Sequence, residues 1–203
     1  ETLWHELAHV ITLQMSNNRV PRWLSEGASV YEERRASPAW GREMEIPFAQ
    51  ALLNDKILPL KDLNAGFTDP QTISLAYYEA SLVTELIVDT YGQAALHKLL
   101  RAYGEGLEGE AALERGLGVG IGDLQKTFDA MLQRRFQPLL TALAPVSGLQ
   151  DAVEEQNVDR VGGLAQANPG SYLAQLAHGR LLWEARRPGE AMAALERASA
   201  LVP

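Results

Sequence analysis

The chain has 203 residues, 46% of them hydrophobic, which is enough for one sizeable domain and a smaller one and excludes a disordered protein. A formal net charge of -8 without any basic run argues against a nucleic-acid-binding protein, because such proteins concentrate Lys and Arg. Cysteine is absent, which excludes disulfides and thiolate metal ligands, and no apolar run is long enough for a membrane span.

The first predicted element is a helix over residues 1–17 that carries the sequence HELAH. Residues four apart share a helical face, so His5 and His9 can converge on one ion, and two imidazoles at this spacing suit zinc. Glu6 projects beside that ion, where its carboxylate can accept a proton from a water molecule. The pattern predicts a hydrolase, with a chance match as the alternative. Apolar residues surround the helix, which predicts burial on most sides.

A second helix is predicted from about Pro21 to Arg35, because proline suits a first helical turn. Its sequence WLSEGASVYEE contains Glu26, which a helical hairpin would bring back to the two histidines. Glu32 and Glu33 compete for the role of third ligand, but they lie nearly two turns farther along, and we predict that they lie out of reach of the ion. A histidine that binds a metal through one ring nitrogen usually donates the N–H of the other, outer nitrogen to a partner. The sequence does not identify these partners, and Ser25 and Ser29 are candidates.

The pair HELAH and WLSEGASVYEE resembles the gluzincin metallopeptidases, the clan of thermolysin and the zinc aminopeptidases. It is most similar to the bacterial peptidase MA-like group. The resemblance implies that His5, His9 and Glu26 bind Zn²⁺, that Glu6 is the general base, and that the substrate is a peptide or protein.

The resemblance also implies a mostly α-helical fold, namely the helical catalytic lobe of a gluzincin. We expect the β-sheet lobe that precedes the histidine helix in such enzymes to be absent. The chain begins within a predicted helix and without Met, so we expect a fragment of a longer protein. The sequence does not determine the cellular location of the protein, and the bacterial cell envelope or secretion is favoured.

Residues 37–70 are rich in proline and glycine and are predicted to form an irregular cleft wall with one short helix over residues 48–55. A helix over residues 71–91 follows. Its stretch YEAS, which begins at Tyr78, resembles the YEKG segment of zinc aminopeptidases, whose tyrosine hydrogen-bonds the oxyanion. The resemblance implies this role for Tyr78, with Tyr77 in reserve, and a buried core tyrosine is the alternative.

Three further helices are predicted over residues 93–103, 109–116 and 122–143, separated by glycines, and they are interpreted as packing elements. His97 has no acidic or histidine neighbour in sequence. We therefore predict that it is a surface or hydrogen-bonded histidine and not a ligand.

The tail from residue 172 onward resembles a tetratricopeptide repeat, because its small, apolar and proline residues fall on that template. We predict two domains: a gluzincin-like domain over residues 1–145 and TPR-like repeats over residues 149–203. The second contains one good repeat, residues 172–203, after a degenerate half repeat. A protein partner is expected for this region, and His178 is interpreted as a helix-face residue of the repeat.

These patterns favour a zinc metallopeptidase in which metal-activated water attacks the peptide bond. The alternative is an inactive metallopeptidase-like protein that acts through its TPR region. A structural zinc site is disfavoured, because only three ligands can be named, and three ligands leave a catalytic coordination position open.

Overall fold

A computed structural model describes residues 2–37, 39–40 and 42–202 of the chain. The described residues form helices, turns and loops and contain no strand. The predicted all-α fold class is therefore confirmed. No helix within the described residues is long and apolar enough to cross a membrane.

The chain divides into two compact units, Glu1–Arg134 and Arg135–Pro203. The predicted division at residues 145–149, into a peptidase-like domain and a repeat region, stays a prediction. Eleven α-helices lie in the described residues: α1 Thr2–Met15, α2 Arg22–Ala36, α3 Glu45–Leu53, α4 Ile73–Tyr91, α5 Gln93–Gly104, α6 Gly109–Leu117, α7 Ile121–Leu143, α8 Leu149–Glu154, α9 Val158–Ala167, α10 Tyr172–Glu184 and α11 Pro188–Leu201. Two 3-10 helices, Arg42–Met44 and Leu60–Phe67, lie between α2 and α4.

In the first unit, α1 and α2 pack against each other across a short turn. Asn17 and Asn18 both have positive φ, at 50° and 59°, and asparagine adopts this left-handed conformation more readily than most residues. These two residues end α1. Pro21 then precedes the first turn of α2 with an extended backbone. The predicted helical pair is therefore present, and its turn residues are those that the sequence indicates.

The predicted burial of α1 on most sides is wrong. Its buried side is a narrow stripe formed by Ala8 and Thr12, which lie one turn apart. The stripe continues to Ser16, just after α1. Other apolar residues of α1 are exposed, namely Leu3, Trp4, Leu7, Val10 and Ile11, all at 47% exposure or more. Apolar side chains are buried only where another element packs over them, and the described residues leave about half or more of each of these side chains exposed.

The centre of the first unit is α4, which packs against α2, α3, α5 and the 3-10 helix Leu60–Phe67. α4 approaches α2 closely at Gly27. A Cβ atom built on Gly27 would lie 2.5 Å from the carbonyl oxygen of Ala80. The glycine therefore allows the backbones of α2 and α4 to approach each other. This contact fixes the position of α2, the helix that carries Glu26.

The second unit contains two helical hairpins, α8 with α9 and α10 with α11. Small buried residues line their interfaces, and Gly179 is in contact with Leu195 across the second hairpin. The core residues of this unit are Leu149, Ala152, Val161, Ala165, Ala174, Leu181, Leu182, Ala191 and Ala194. Hairpins of this kind are compatible with the predicted repeats, whose assignment stays a prediction.

Candidate metal centre

His5 and His9 lie one turn apart on α1, and Glu26 lies on α2 opposite them. Each offers one ligand atom, and these atoms all lie within 4.8 Å of one another. No other group of three or more His, Asp or Glu residues in the described part of the chain could hold a metal ion in this way. The three side chains, separated by up to 21 positions in sequence, thus form a candidate metal centre.

One carboxylate oxygen of Glu26 faces both imidazoles. Its Oε2 atom is 3.4 Å from His5 Nε2 and 3.2 Å from His9 Nε2. This oxygen is buried and accepts no hydrogen bond from the described residues. A buried carboxylate oxygen without a donor is costly unless a cation satisfies it. Two imidazole nitrogens and a buried carboxylate oxygen without a hydrogen-bond donor therefore fit a metal ion.

The outer nitrogens of both rings also have partners, and both partners lie on α2. His5 Nδ1 is 3.4 Å from Glu33 Oε1, and His9 Nδ1 is 2.8 Å from Ser25 Oγ. Ser25 Oγ in turn lies 3.3 Å from the hydroxyl of Thr12 on α1. With the outer nitrogens engaged in this way, both Nε2 atoms face Glu26.

Arg22 lies at the first turn of α2 and contacts the second oxygen of Glu26, with Nε 3.4 Å from Oε1. Its guanidinium also donates to the carbonyl oxygen of Phe67 at 3.2 Å and lies over the ring of Phe67. The pKa of Arg22 is raised above its ordinary value, and the largest cause is the nearby Tyr77 side chain. Arg22 therefore connects the carboxylate of the candidate centre with a tyrosine.

The two neighbouring tyrosines of α4 have different surroundings. The ring of Tyr77 lies 6.4 Å from that of His5 and 5.1 Å from that of Phe67. The ring of Tyr78 is 98% buried and packs against Phe48 and the guanidinium of Arg34. Tyr77, the reserve candidate of the sequence analysis, is thus the tyrosine beside the histidines, while the contacts of Tyr78 are those of a core residue.

Glu6 follows His5 on α1 and is exposed. It makes no hydrogen bond or ion pair with the described residues. Its carboxylate is therefore accessible to a water molecule and to a substrate.

Three residues beside the centre were missed or left undecided by the sequence. Glu33 was considered only as a ligand, Ser25 was one of two candidates for an outer partner, and Arg22 was not considered. A signal for Arg22 was available, because it precedes Glu26 by four residues and such pairs share a helical face. His97 and His178, by contrast, lie outside the candidate centre.

Comparison with known proteins adds an independent observation. A model of the Peptidase MA superfamily matches residues 1–134 of the chain. The chain matched no curated protein and no solved structure. The matched residues cover about two thirds of the chain and contain HELAH, WLSEG and both tyrosines. The chain therefore belongs to the Peptidase MA superfamily.

Proposed function

We propose that the chain is a zinc metallopeptidase that hydrolyses peptide bonds, with His5, His9 and Glu26 as the zinc ligands. One observation carries this proposal: a buried carboxylate oxygen with no hydrogen-bond donor faces two imidazole nitrogens at 3.2 and 3.4 Å. Membership of the Peptidase MA superfamily supports the same chemistry.

The spacing of the ligand atoms is compatible with zinc. Nitrogen and oxygen ligands lie about 2.0–2.1 Å from zinc, so ligand atoms at two corners of a tetrahedron are roughly 3.3–3.4 Å apart. The two measured distances from Glu26 Oε2 agree with this spacing. Three protein ligands are the number found in catalytic zinc sites, whereas structural sites generally have four.

When bound, the ion lowers the pKa of water toward neutrality and polarises the carbonyl group of the substrate. Glu6 is the proposed general base, because it is next to His5 in sequence and its exposed carboxylate is free of other partners. It accepts a proton from the attacking water and then donates it to the leaving amine.

Tyr77 is the proposed donor to the oxyanion of the tetrahedral intermediate, in preference to Tyr78. The Tyr77 side chain is near the guanidinium of Arg22, whose pKa it raises, and its hydroxyl carries a proton that can be donated to a substrate oxygen. Arg22 also adds a positive charge near the developing negative charge. Both effects stabilise the transition state more than the bound substrate.

For the second unit we propose TPR-like repeats that bind a protein partner. Its two helical hairpins support this proposal, as does the distance of 34 residues, one repeat length, between Pro169 and Pro203 in the sequence.

The proposed function is tested by measuring bound zinc and the cleavage of a mixed peptide library for the wild type and Glu6→Gln. We expect one zinc per chain in both proteins and cleavage only by the wild type. Glu114→Gln, which changes an exposed glutamate on α6, is the matched control and should cleave normally. Cleavage that persists in Glu6→Gln would exclude Glu6 as the base. Zinc without any cleavage would instead support the alternative, an inactive metallopeptidase-like interaction protein.

A further inference from the structure

We propose that Glu33 is a positioning residue that holds His5 in the orientation and tautomer required for metal binding. The proposal rests on the ligand set assigned under the proposed function. Its starting point is the 3.4 Å separation between Glu33 Oε1 and His5 Nδ1, the ring nitrogen that faces away from Glu26.

Glu33 is a buried carboxylate with few partners. Its side chain is 11% exposed, and no Lys or Arg among the described residues forms an ion pair with it. The adjacent Arg34 is engaged elsewhere, since it pairs with Glu85 at 3.1 Å and donates to Ser81. Burial of a carboxylate without a cationic partner costs free energy. The contact that offsets this cost is the one with His5, so the carboxylate has a local role at that ring.

The effect on His5 follows from the chemistry of imidazole. A neutral imidazole carries its proton on one nitrogen only, and a carboxylate acceptor beside Nδ1 favours the proton at that atom. The lone pair is then on Nε2, the atom 3.4 Å from Glu26 Oε2. Carboxylates placed in this way behind a metal-binding histidine fix both its tautomer and the direction of its ring.

The space around Glu33 shows why a positioning group is needed. A cavity of about 150 Å³ lies beside it, lined also by Trp40, Met44 and Tyr77. Without the carboxylate, this space would extend to the ring of His5. The ring could then rotate about its side-chain bonds, and Nε2 would leave the direction of Glu26.

The two histidines are held differently. His9 Nδ1 contacts the hydroxyl of Ser25, which is neutral and itself lies 3.3 Å from Thr12 Oγ1. Glu33 Oε1, at 3.4 Å from His5 Nδ1, acts on its ring through a carboxylate whose electrostatic attraction is little screened by water, because the side chain is buried. Removal of the Glu33 carboxylate should therefore weaken metal binding more than removal of the Ser25 hydroxyl.

The test measures the zinc dissociation constant by competition with a chelating dye, together with the melting temperature of the metal-free protein. We expect Glu33→Ala to raise the dissociation constant by about 10- to 100-fold, the range typical of such outer partners. Glu33→Gln retains an acceptor oxygen and should raise it less, by about 3- to 10-fold, and Ser25→Ala should also have a smaller effect than Glu33→Ala. The melting temperature of the metal-free protein should change little, because the alanine variant no longer buries a carboxylate.

Glu32→Ala is the matched control, since Glu32 is the neighbouring residue on α2 and pairs with Arg35. It should bind zinc like the wild type. Dissociation constants of Glu33→Ala and Glu33→Gln within twofold of the wild type would overturn the proposal, and the glutamine variant alone decides if the alanine variant does not fold. A wild type that binds no zinc would instead contradict the proposed function, so the two failures are distinguishable.

Discussion

Arg22 and Glu26 lie one turn apart on α2, with Arg22 Nε 3.4 Å from Glu26 Oε1, while the other carboxylate oxygen faces the two histidines. Glu26 thus interacts with a guanidinium through one carboxylate oxygen and belongs to the candidate metal centre through the other. The nearby Tyr77 side chain is the largest cause of the raised pKa of the same guanidinium. A change at Arg22 should therefore affect both the third ligand and the proposed oxyanion donor.

We predict that Arg22→Met lowers kcat by about 10- to 100-fold, because the Tyr77 hydroxyl loses the neighbouring positive charge. The effect should be non-additive with Tyr77→Phe, so that the double variant is about as active as Tyr77→Phe alone. Steady-state kinetics of the two single variants and the double variant measure this coupling. Arg35→Met serves as control, since Arg35 is a more exposed arginine of α2 that pairs with Glu32. Fully additive losses would show that Arg22 does not act through Tyr77.

Substitution of the adjacent residues Tyr77 and Tyr78 should have different effects, on catalysis and on stability respectively. Tyr77→Phe should lower kcat by about 10²- to 10³-fold with zinc still bound, as expected for loss of an oxyanion donor. Tyr78→Phe should leave kcat within a few fold and lower the free energy of unfolding by about 1 kcal/mol, because its hydroxyl is buried in the core. Kinetics and urea unfolding of both variants decide between the residues. The reverse pattern would restore Tyr78 as the catalytic tyrosine.

Glu79 predicts a pH dependence of stability. Burial raises the pKa of Glu79 to about 8 from an ordinary value of 4.5, although its Oε2 accepts a hydrogen bond from the Leu58 amide. Between these values the folded chain holds a proton that the unfolded chain has released. The free energy of unfolding should therefore fall as pH rises through this window, by about 1.4 kcal/mol for each pH unit.

Urea unfolding between pH 5 and pH 9 measures this contribution as the difference between the wild type and Glu79→Gln. The glutamine variant has no proton to release at this position, so it should become the more stable of the two as pH approaches 9. Glu184→Gln, at an exposed site, should follow the wild type throughout. Parallel curves for the wild type and Glu79→Gln would show that Glu79 is ionised in the folded chain.

Gly27→Ala should be destabilising, because the added methyl group would lie 2.5 Å from the Ala80 carbonyl oxygen and 2.9 Å from the Thr84 hydroxyl. We expect a loss of about 1–3 kcal/mol as α2 and α4 separate, and weaker zinc binding because Glu26 moves with α2. Thermal unfolding and zinc titration measure the two effects. Gly163→Ala, on α9 with open space around it, is the matched substitution and should be neutral or slightly stabilising. Equal behaviour of the two variants would contradict the close approach described here.

The helices were largely predictable from the sequence because their ends carry strong local signals. Proline precedes α2, glycine follows α4, and two asparagines follow α1. The proximity of His5 and His9 was also predictable, since helical spacing brings them to one face. The 3-10 helix Leu60–Phe67 was missed, because Pro59, Gly66 and Pro70 in and around it indicate irregular structure.

The choice between the two tyrosines could not be made from the sequence. Neighbouring helical residues point about 100° apart, and only the rotation of α4 relative to α1 and α2 decides which one faces His5. The role proposed for Glu33 was hidden for a related reason. Its distance along α2 places it too far from the ion to be a ligand, yet the outer side of an imidazole ring lies several ångströms farther out. Both assignments depend on how helices pack.

The exposure of α1 has a consequence for local unfolding. Few buried side chains attach this helix to α2 and α5, so its amide hydrogens should exchange with solvent through local opening more readily than those of α4. An ion shared by two residues of α1 and one of α2 would join these helices and oppose this opening. At a free metal concentration 100 times the dissociation constant, the gain is about 2.7 kcal/mol. Slowed amide exchange in α1 would then report occupancy of the site even in a variant that cannot cleave peptides.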